Sequence, residues 1–422
     1  MNKKISLGAA TTFVILAVAL TVTVTWVIAM RQFNYKLKNV SQRQAMFDYI
    51  NEVDKQVRNN YNGEIDEDLL RASIARGYIA GLNDPYAAYL TSVQYKKETE
   101  RLSGKWTGLG LEVTQLDNGA VVISAVHKNS PADKAGIKKG DVITQLDGKE
   151  VRASGFAQAR SKIESADKAK LTVNRDDSPT AFEISSSSYT LSSVESRLID
   201  TTGYIRISAF YSNTPDQFRT AFNSLEEKGA ENYIFDLRFN KGGDLSAARA
   251  VISTLIPRGT YARCVYRNST VDIESDGTFE ITKPTVTLVN SATAGEAELF
   301  AGVLQQFKKT TVVGVSTAGH GTVQKYYKLA ADGAAIKISV ASLMLAGGEG
   351  IEGKGIQTDV YAAMPAEMEN RFAFLTEKND PQMQAAFLAL KGGQPDTERT
   401  TGTAAATTEQ TQTQATSTTA SQ

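Results

Sequence analysis

The sequence predicts a multidomain α/β protein that carries one N-terminal transmembrane helix. Three observations support this fold class. A long uncharged apolar run lies at the N-terminus, short β-type runs separated by turn residues fill the middle, and apolar strands alternate with amphipathic helices in the C-terminal half. A length of 422 residues leaves room for two or three compact domains.

The composition is typical of globular proteins and argues against several functional classes. The 46 basic side chains equal the 46 acidic ones, so no nucleic-acid partner is indicated. The chain has one cysteine, Cys264, and two histidines, His127 and His320. We therefore expect no intramolecular disulfide, no metal cluster built on thiolates or imidazoles, and no cofactor.

Residues 1–31 are predicted to form a transmembrane signal anchor. The run from Ile5 to Met30 contains no charged residue and, at about 1.5 Å per residue, can span a bilayer core of about 30 Å. A cleaved signal peptide is the alternative, but the run is long for a signal core and lacks a clear cleavage site. Lysines before the run and basic residues after it leave the orientation open on charge alone.

Residues 44–103 are predicted to form a helical segment. Apolar side chains recur at helical spacing from Met46 to Tyr61 and again from Asp66 to Tyr78. A charged stretch from Tyr95 to Leu102 indicates a further helix. A plain helical linker that binds no partner is an equally weighted alternative.

Residues 104–190 are predicted to form a β-rich domain that resembles a PDZ domain. The words SPADKAG (130–136) and KGDVITQLDG (139–148) give a short helix, a glycine turn and a strand. In PDZ domains a loop with backbone amides receives the terminal carboxylate of a peptide, and an open strand edge accepts the peptide as an added strand. The residues that match this loop are Gly108, Leu109, Gly110 and Leu111. The resemblance implies binding of protein or peptide C-termini, and a small β-domain that binds nothing is the alternative.

Residues 191–390 are predicted to form an α/β core whose strands are mostly parallel. The strand-like words are GYIRISAF (203–210), NYIFDLRFN (232–240) and PTVTLVN (284–290). Helices fit between them at Thr214–Glu227 and Leu245–Leu255. Catalytic groups are expected where such strands end.

Residues 392–422 are rich in Thr, Gln, Ser and Ala and have almost no large apolar side chains. Such a segment cannot bury enough surface to offset its ordering entropy, so we predict a disordered tail. A spacer that traverses a cell wall is the alternative.

A series of distinctive words runs through about residues 45–390: AGLNDPYAAYLT (80–91), SPADKAGIKKGDVI (130–143), GYIRISAF, DLRFNKGG (236–243), AELFAGVL (297–304), GHGTVQ (319–324) and GIEGKGIQTDV (350–360). In these words and their order the chain resembles the carboxyl-terminal processing, or tail-specific, serine peptidases, which contain a PDZ domain. The resemblance implies a protease-like core and extracytoplasmic domains held at the cell membrane by a single-pass anchor. Because family members often assemble through their helical ends, a homodimer is a further expectation.

The two principal catalytic positions of this family are substituted here. In the family, a serine nucleophile lies three residues before the glutamate of an Ala-Glu-Leu-Phe-like word, and a lysine base precedes Gly-Thr-Val-Gln. Aligned without a gap, these positions read Gly295 and His320, while the family's glutamine is Gln324. A histidine can act as a base near neutral pH, but glycine has no nucleophile.

The resemblance also identifies oxyanion-hole candidates, namely Gly242, Gly243 and Glu296, of which Glu296 stands where the family has a small residue. A carboxylate there would oppose a developing oxyanion, although the sequence leaves its direction open. A shifted alignment makes Thr293 the nucleophile, but it needs two extra residues in the turn.

These features favour a pseudoprotease that binds C-termini without cleaving them and acts as an adaptor or regulator. The alternative is an active serine-type endopeptidase that cleaves near protein C-termini with Thr293 as a displaced nucleophile and His320 as its base. A structural, wall-associated protein is a third class that only the tail suggests.

Overall fold

The computed structural model describes residues 7–393. The chain divides into two compact units, one that extends through Arg71 and one that begins at Ala72. Most of the segment for which disorder is predicted, from residue 394 onward, lies outside the described residues.

The first unit is dominated by one continuous helix, α1 (Leu7–Asn60). Its segment Thr11–Arg31 has a mean hydropathy of 2.5, so it is long and apolar enough to cross a membrane, a property that signal sequences share. The amphipathic pattern after Met46 continues this helix instead of starting a new one. Arg58 near its end forms ion pairs with Asp54 and Glu67 and thereby braces the turn to the next helix.

Three elements connect α1 to the β-rich region. They are α2 (Glu67–Ala80), β1 (Ala88–Leu90) and α3 (Ser92–Leu102). A capping box starts α3, because the Thr91 hydroxyl accepts the Gln94 amide while the Gln94 side chain accepts the Thr91 amide. The predicted helical segment therefore also supplies a strand, which pairs far along the chain with the core.

The β-rich region has the predicted short helix and short strands around an apolar cluster, and it contains two further helices. Its elements are β2 (Lys105–Gly108), β3 (Leu111–Gln115), β4 (Val121–Val126), α4 (Pro131–Lys134), β5 (Val142–Leu146), β6 (Lys149–Glu150), α5 (Val151–Ser154), α6 (Phe156–Ser165), β7 (Lys168–Arg175), β8 (Ser178–Ser185) and β9 (Ser187–Thr190). The main sheet has the order β3-β4-β5-β7-β8, and β2 pairs with β9. Within the described residues β3 pairs only with β4, so one edge of β3 is open.

The C-terminal region contains the remaining strands and helices. They are β10 (Val194–Ile199), β11 (Thr202–Ile207), α7 (Thr214–Glu227), β12 (Asn232–Asp236), α8 (Leu245–Ser253), β13 (Gly259–Tyr266), β14 (Thr270–Ser275), β15 (Thr285–Val289), α9 (Glu296–Gln306), β16 (Thr311–Gly314), β17 (Thr322–Lys328), β18 (Ala335–Leu345), β19 (Val360–Tyr361), α10 (Ala366–Glu369), a 3-10 helix (Phe372–Phe374) and α11 (Pro381–Leu390).

The predicted mostly parallel sheet has the order β10-β11-β12-β15-β16-β19. All its pairings are parallel except that of β10 with β11, because β10 forms a hairpin with β11 at the sheet edge. The mixed α/β fold class is thus confirmed. A second sheet, β1-β18-β13-β14 with β17 beside β18, was not predicted from the sequence.

The parallel sheet determines where the functional loops lie. Its central strands β12 and β15 are buried, and α7 packs Phe218, Phe222 and Leu225 against this core. The loops that follow β12, β15 and β16 all leave from the carboxyl edge of the sheet, where catalytic groups of such folds collect.

Candidate active site and peptide-binding loop

Gly295 forms the sharp turn between β15 and α9. It is the residue before the first helical turn, with φ 62° and ψ −123°. A strained strand-to-helix turn of this kind exposes the nucleophile in hydrolase folds. At a positive φ glycine has no steric penalty, so the turn is kept although the side chain is absent.

The structure brings Gly295 and His320 together. An ideal Cβ on Gly295 would lie 3.8 Å from His320 Nδ1 and 3.7 Å from the carbonyl oxygen of Lys241, with no closer atom. A serine at this position would therefore meet the imidazole without a clash. The gap-free alignment thus pairs two positions that face each other in the fold.

The His320 ring is fixed on its face and at its edge. It stacks on Tyr86, with 3.6 Å between ring centroids and 7° between planes, and its Nε2 lies 3.0 Å from the Gln324 amide nitrogen. Burial lowers the pKa of His320, and the charges of Glu352 and Glu298 oppose this effect. The other ring nitrogen, Nδ1, faces Gly295.

The Glu298 side chain joins the turn at Gly295, called here the elbow, to the loop that carries His320. This fully buried carboxylate accepts the amides of Gly295 at 2.9 Å, His320 at 2.7 Å and Gly319 at 2.7 Å, and also the Thr317 hydroxyl at 2.5 Å. In the sequence, Glu298 served only to align the Ala-Glu-Leu-Phe motif. Its position in the first turn of α9 was the available signal, because a carboxylate there can accept orphan amides.

Glu296 fills the position predicted to bind an oxyanion. Its Oε2 accepts the N–H of Gly243 at 2.8 Å, and a Cβ on Gly242 would lie only 2.3 Å from that oxygen. The N–H of Gly242 donates to Asn240 Oδ1 at 2.8 Å. Both glycine amides that the sequence identified as oxyanion donors therefore already have acceptors within the protein.

The Glu296 carboxyl has an unusual acidity. Burial raises its pKa to about 7 against the opposing effect of the amides of Gly243 and of Glu296 itself, and the neighbouring carboxylates of Asp244 and Glu298 raise it further. No cationic side chain of the described chain lies within ion-pair distance of this carboxylate. The group therefore sits near half ionisation at neutral pH, without a compensating charge.

Thr293 lies in the base of the same turn. Its side chain is fully buried, and its hydroxyl donates to the carbonyl oxygen of Leu237 at 3.0 Å and accepts the Asn290 amide at 3.0 Å. These bonds hold the turn to the end of β12. The geometry thus gives Thr293 a structural position and no exposure to a substrate.

The loop predicted to bind a carboxylate, which contains Leu109 and Gly110, differs from the loops around Gly295 in the hydrogen bonds of its backbone. Its carbonyl groups are occupied, since Leu109 accepts from Ala132 at 2.9 Å and Gly110 accepts from His127 at 2.9 Å. The N–H groups of Leu109 and Gly110 have no hydrogen-bond partner in the described part of the chain. Leu109 and Leu111 pack with Ile163 of α6 in one apolar cluster beside the open edge of β3.

His127 belongs to the scaffold of this loop. Its Nε2 lies 3.2 Å from Glu112 on the neighbouring strand, and its ring lies 5.6 Å from that of Tyr189. These contacts give His127 a packing role beside the loop.

Comparisons with known proteins identify the same two parts. Peptidase family S41 matches residues 201–362, and the PDZ domain family matches residues 107–185. The carboxy-terminal processing protease CtpA of Bacillus subtilis (strain 168) is 34% identical over 336 residues, which cover 78% of this chain and 71% of that protein. A carboxyl-terminal-processing protease of Synechocystis sp. is 31% identical over 326 residues, with 75% of each chain covered.

Among solved structures, a putative S41 protease from Bacteroides fragilis superposes with a TM-score of 0.58 at 19% identity and covers 79% of this chain and 91% of its own. At that identity the likeness supports the fold alone. The sequence relatives and the two family matches show that the chain belongs to the carboxyl-terminal processing protease family, with a PDZ domain and an S41 peptidase region.

Proposed function

We propose that this chain is a pseudoprotease that binds protein or peptide C-termini through its PDZ domain without cleaving them. It acts as an adaptor or regulator, held at the cell membrane by a single-pass anchor with its domains outside the cytoplasm. The observation that carries this proposal is Gly295, because the position that faces His320 at the elbow has no side chain. A homodimer stays a prediction.

The chemistry of acyl transfer supports the absence of cleavage. An acyl-enzyme needs an oxygen or sulfur nucleophile, and glycine supplies neither. An oxyanion hole needs free donors, but the Gly243 N–H already donates to Glu296. The carboxylate of Glu296 would also repel a developing negative charge at this place.

The alternative of an active peptidase would rest on Thr293 and His320. The Thr293 hydroxyl is buried and hydrogen-bonded within the turn. A buried hydroxyl without a free base beside it is a poor nucleophile. No contact in the described chain favours this alternative.

Retained binding is supported by the loop before β3. The N–H groups of Leu109 and Gly110, which have no partner in the described part of the chain, suit a carboxylate. The open edge of β3 then pairs with the residues that precede that terminus.

The full chain in detergent should bind a fluorescent peptide with a free apolar C-terminus. Amidation of that terminus should weaken binding about tenfold or more, because it removes charge-assisted hydrogen bonds. An unfolded protein incubated with the same sample should stay intact.

Cleavage that disappears in Thr293→Val and in His320→Ala would refute the pseudoprotease and support the alternative. Equal affinity for the free and the amidated peptide would refute the proposed role of the PDZ loop. The amidated peptide is the matched control because the two ligands differ only at the terminal group.

A further inference from the structure

We propose that the substituted catalytic site binds the cationic side chain of a lysine or arginine in the bound polypeptide. This inference rests on the proposed function, since it assigns a ligand group to a site that would otherwise contact peptide without reacting. Three features of the site support it.

The first feature is a reversal of hydrogen-bonding polarity. The donors Gly242 N–H and Gly243 N–H are used within the protein. Two acceptors remain at the site, namely the carboxylate of the half-buried Glu296 and the carbonyl oxygen of Lys241, to which no described residue donates a hydrogen bond. Acceptors of this kind suit N–H donors of a ligand and repel a carbonyl oxygen or a carboxylate.

The second feature is an uncompensated charge. Glu296 forms no ion pair in the described chain, and the pKa of its carboxyl is raised to about 7 because burial disfavours the anion. The neighbouring charged groups do not remove this cost. Asp244 and Glu298 are acidic, His320 is neutral near pH 7, and the side chain of Lys241 is exposed. A ligand cation would stabilise the ionised carboxylate and gain a charge-assisted hydrogen bond.

The third feature is the space left by the missing side chain. An ideal Cβ on Gly295 would make ordinary contacts with the carbonyl oxygen of Lys241 at 3.7 Å and with His320 Nδ1 at 3.8 Å, so the vacated space is methyl-sized. The charged end of the basic side chain is proposed to lie at the edge of this space, next to the unpartnered carbonyl oxygen of Lys241.

The chain has two histidines, so their ring signals give a direct readout with an internal control. Histidine-labelled full chain in detergent is titrated with N-acetyl-lysine methylamide and, separately, with the norleucine analogue. We expect the lysine probe to shift the His320 signals at millimolar concentration and the norleucine probe to leave them unchanged. The His127 signals, which report on the PDZ domain, should not move with either probe.

Two variants identify the acceptor. Glu296→Gln removes the charge and keeps the shape, and it should abolish the shift of His320. Glu231→Gln removes one exposed charge before β12 and should leave the shift intact. An unmoved His320 in the natural chain, or a shift that persists in Glu296→Gln, would overturn the inference.

N-acetylated peptides with one free C-terminus and a lysine scanned through the preceding positions test the same site in a polypeptide. At one position lysine should bind about tenfold tighter than norleucine, as for a partly desolvated ion pair, and Glu296→Gln should remove this preference. A flat scan would contradict the inference even if every peptide bound. If no peptide bound but the lysine probe still shifted His320, the inference would stand and only the proposed PDZ function would fail.

Discussion

The PDZ loop at Leu109 and Gly110 and the catalytic loops around Gly295 are both glycine turns that offer backbone N–H groups, but they differ in what those groups contact. In the PDZ loop the N–H groups of Leu109 and Gly110 are free, whereas at the catalytic site the N–H of Gly243 donates to Glu296. Peptide binding by backbone donors needs no particular side chain, so it tolerates sequence change. Catalysis depends on individual side chains, so a few substitutions remove it.

The candidate active site nevertheless has a well-connected scaffold. Glu298 joins the turn at Gly295 to the loop of His320 through the amides of these two residues, and Tyr86 covers the imidazole. These contacts do not need a side chain at position 295. The scaffold can therefore persist under the proposed loss of cleavage.

The largest expected effect is a return of peptidase activity. We expect the variant that combines Gly295→Ser, His320→Lys and Glu296→Ala to cleave an unfolded protein, although the positive φ at Gly295 costs a serine about 1–3 kcal/mol. Without Glu296→Ala the Gly243 donor stays blocked, so the double variant should be about 100-fold slower or worse. Cleavage rates of the two variants, measured side by side, check this expectation.

The control for that experiment replaces Gly295→Ser by Gly295→Ala in the triple variant. It keeps the strain and the added bulk but has no hydroxyl, so it should be inactive. Equal rates for the double and the triple variants would show that Glu296 does not block the site.

The next effect concerns the PDZ loop. Gly110 has φ 84°, and a Cβ there would lie 2.0 Å from Ser130 Cβ, so Gly110→Ala must displace the loop. We expect peptide affinity to fall about 30-fold or more, because misplaced amides lose charge-assisted hydrogen bonds. Fluorescence anisotropy with the free-carboxylate peptide measures this loss.

The matched control is Gly119→Ala. Gly119 has a similar φ of 78° but has no atom within 4 Å of its ideal Cβ. Both variants pay about 1 kcal/mol of backbone strain, so only Gly110→Ala should lose binding. Similar losses in the two variants would argue against the loop as the carboxylate site.

Much of the fold could be predicted because its signals are local. The helix Thr214–Glu227 was predicted with the observed bounds, since apolar periodicity and flanking turn residues define it. The second sheet was missed because its pairings are remote, such as Ala88 with Lys337. Local patterns carry no information on such partners.

For the candidate site, too, some features could be predicted from the sequence and others could not. The pairing of Gly295 with His320 followed from motif spacing, because the resemblance fixed both positions. The direction of the Glu296 side chain did not follow, since it depends on the approach of the loop that carries Gly243. The four bonds of Glu298 likewise join loops that are far apart in the sequence.

The smallest expected effect is a pH dependence of stability. It reports the free-energy cost of holding the ionised Glu296 carboxylate against the Gly243 N–H. Because the pKa of Glu296 is raised from 4.5 to about 7 in the folded chain, ionisation disfavours folding as pH rises between these values. Relative to Glu296→Gln, the natural chain should lose about 1–3 kcal/mol of unfolding free energy between pH 5 and pH 8. Urea denaturation across this pH range tests the expectation, with Glu231→Gln as the charge-matched control. If the unfolding free energies of the natural chain and of Glu296→Gln changed in parallel with pH, the carboxylate would not be buried at the Gly243 amide.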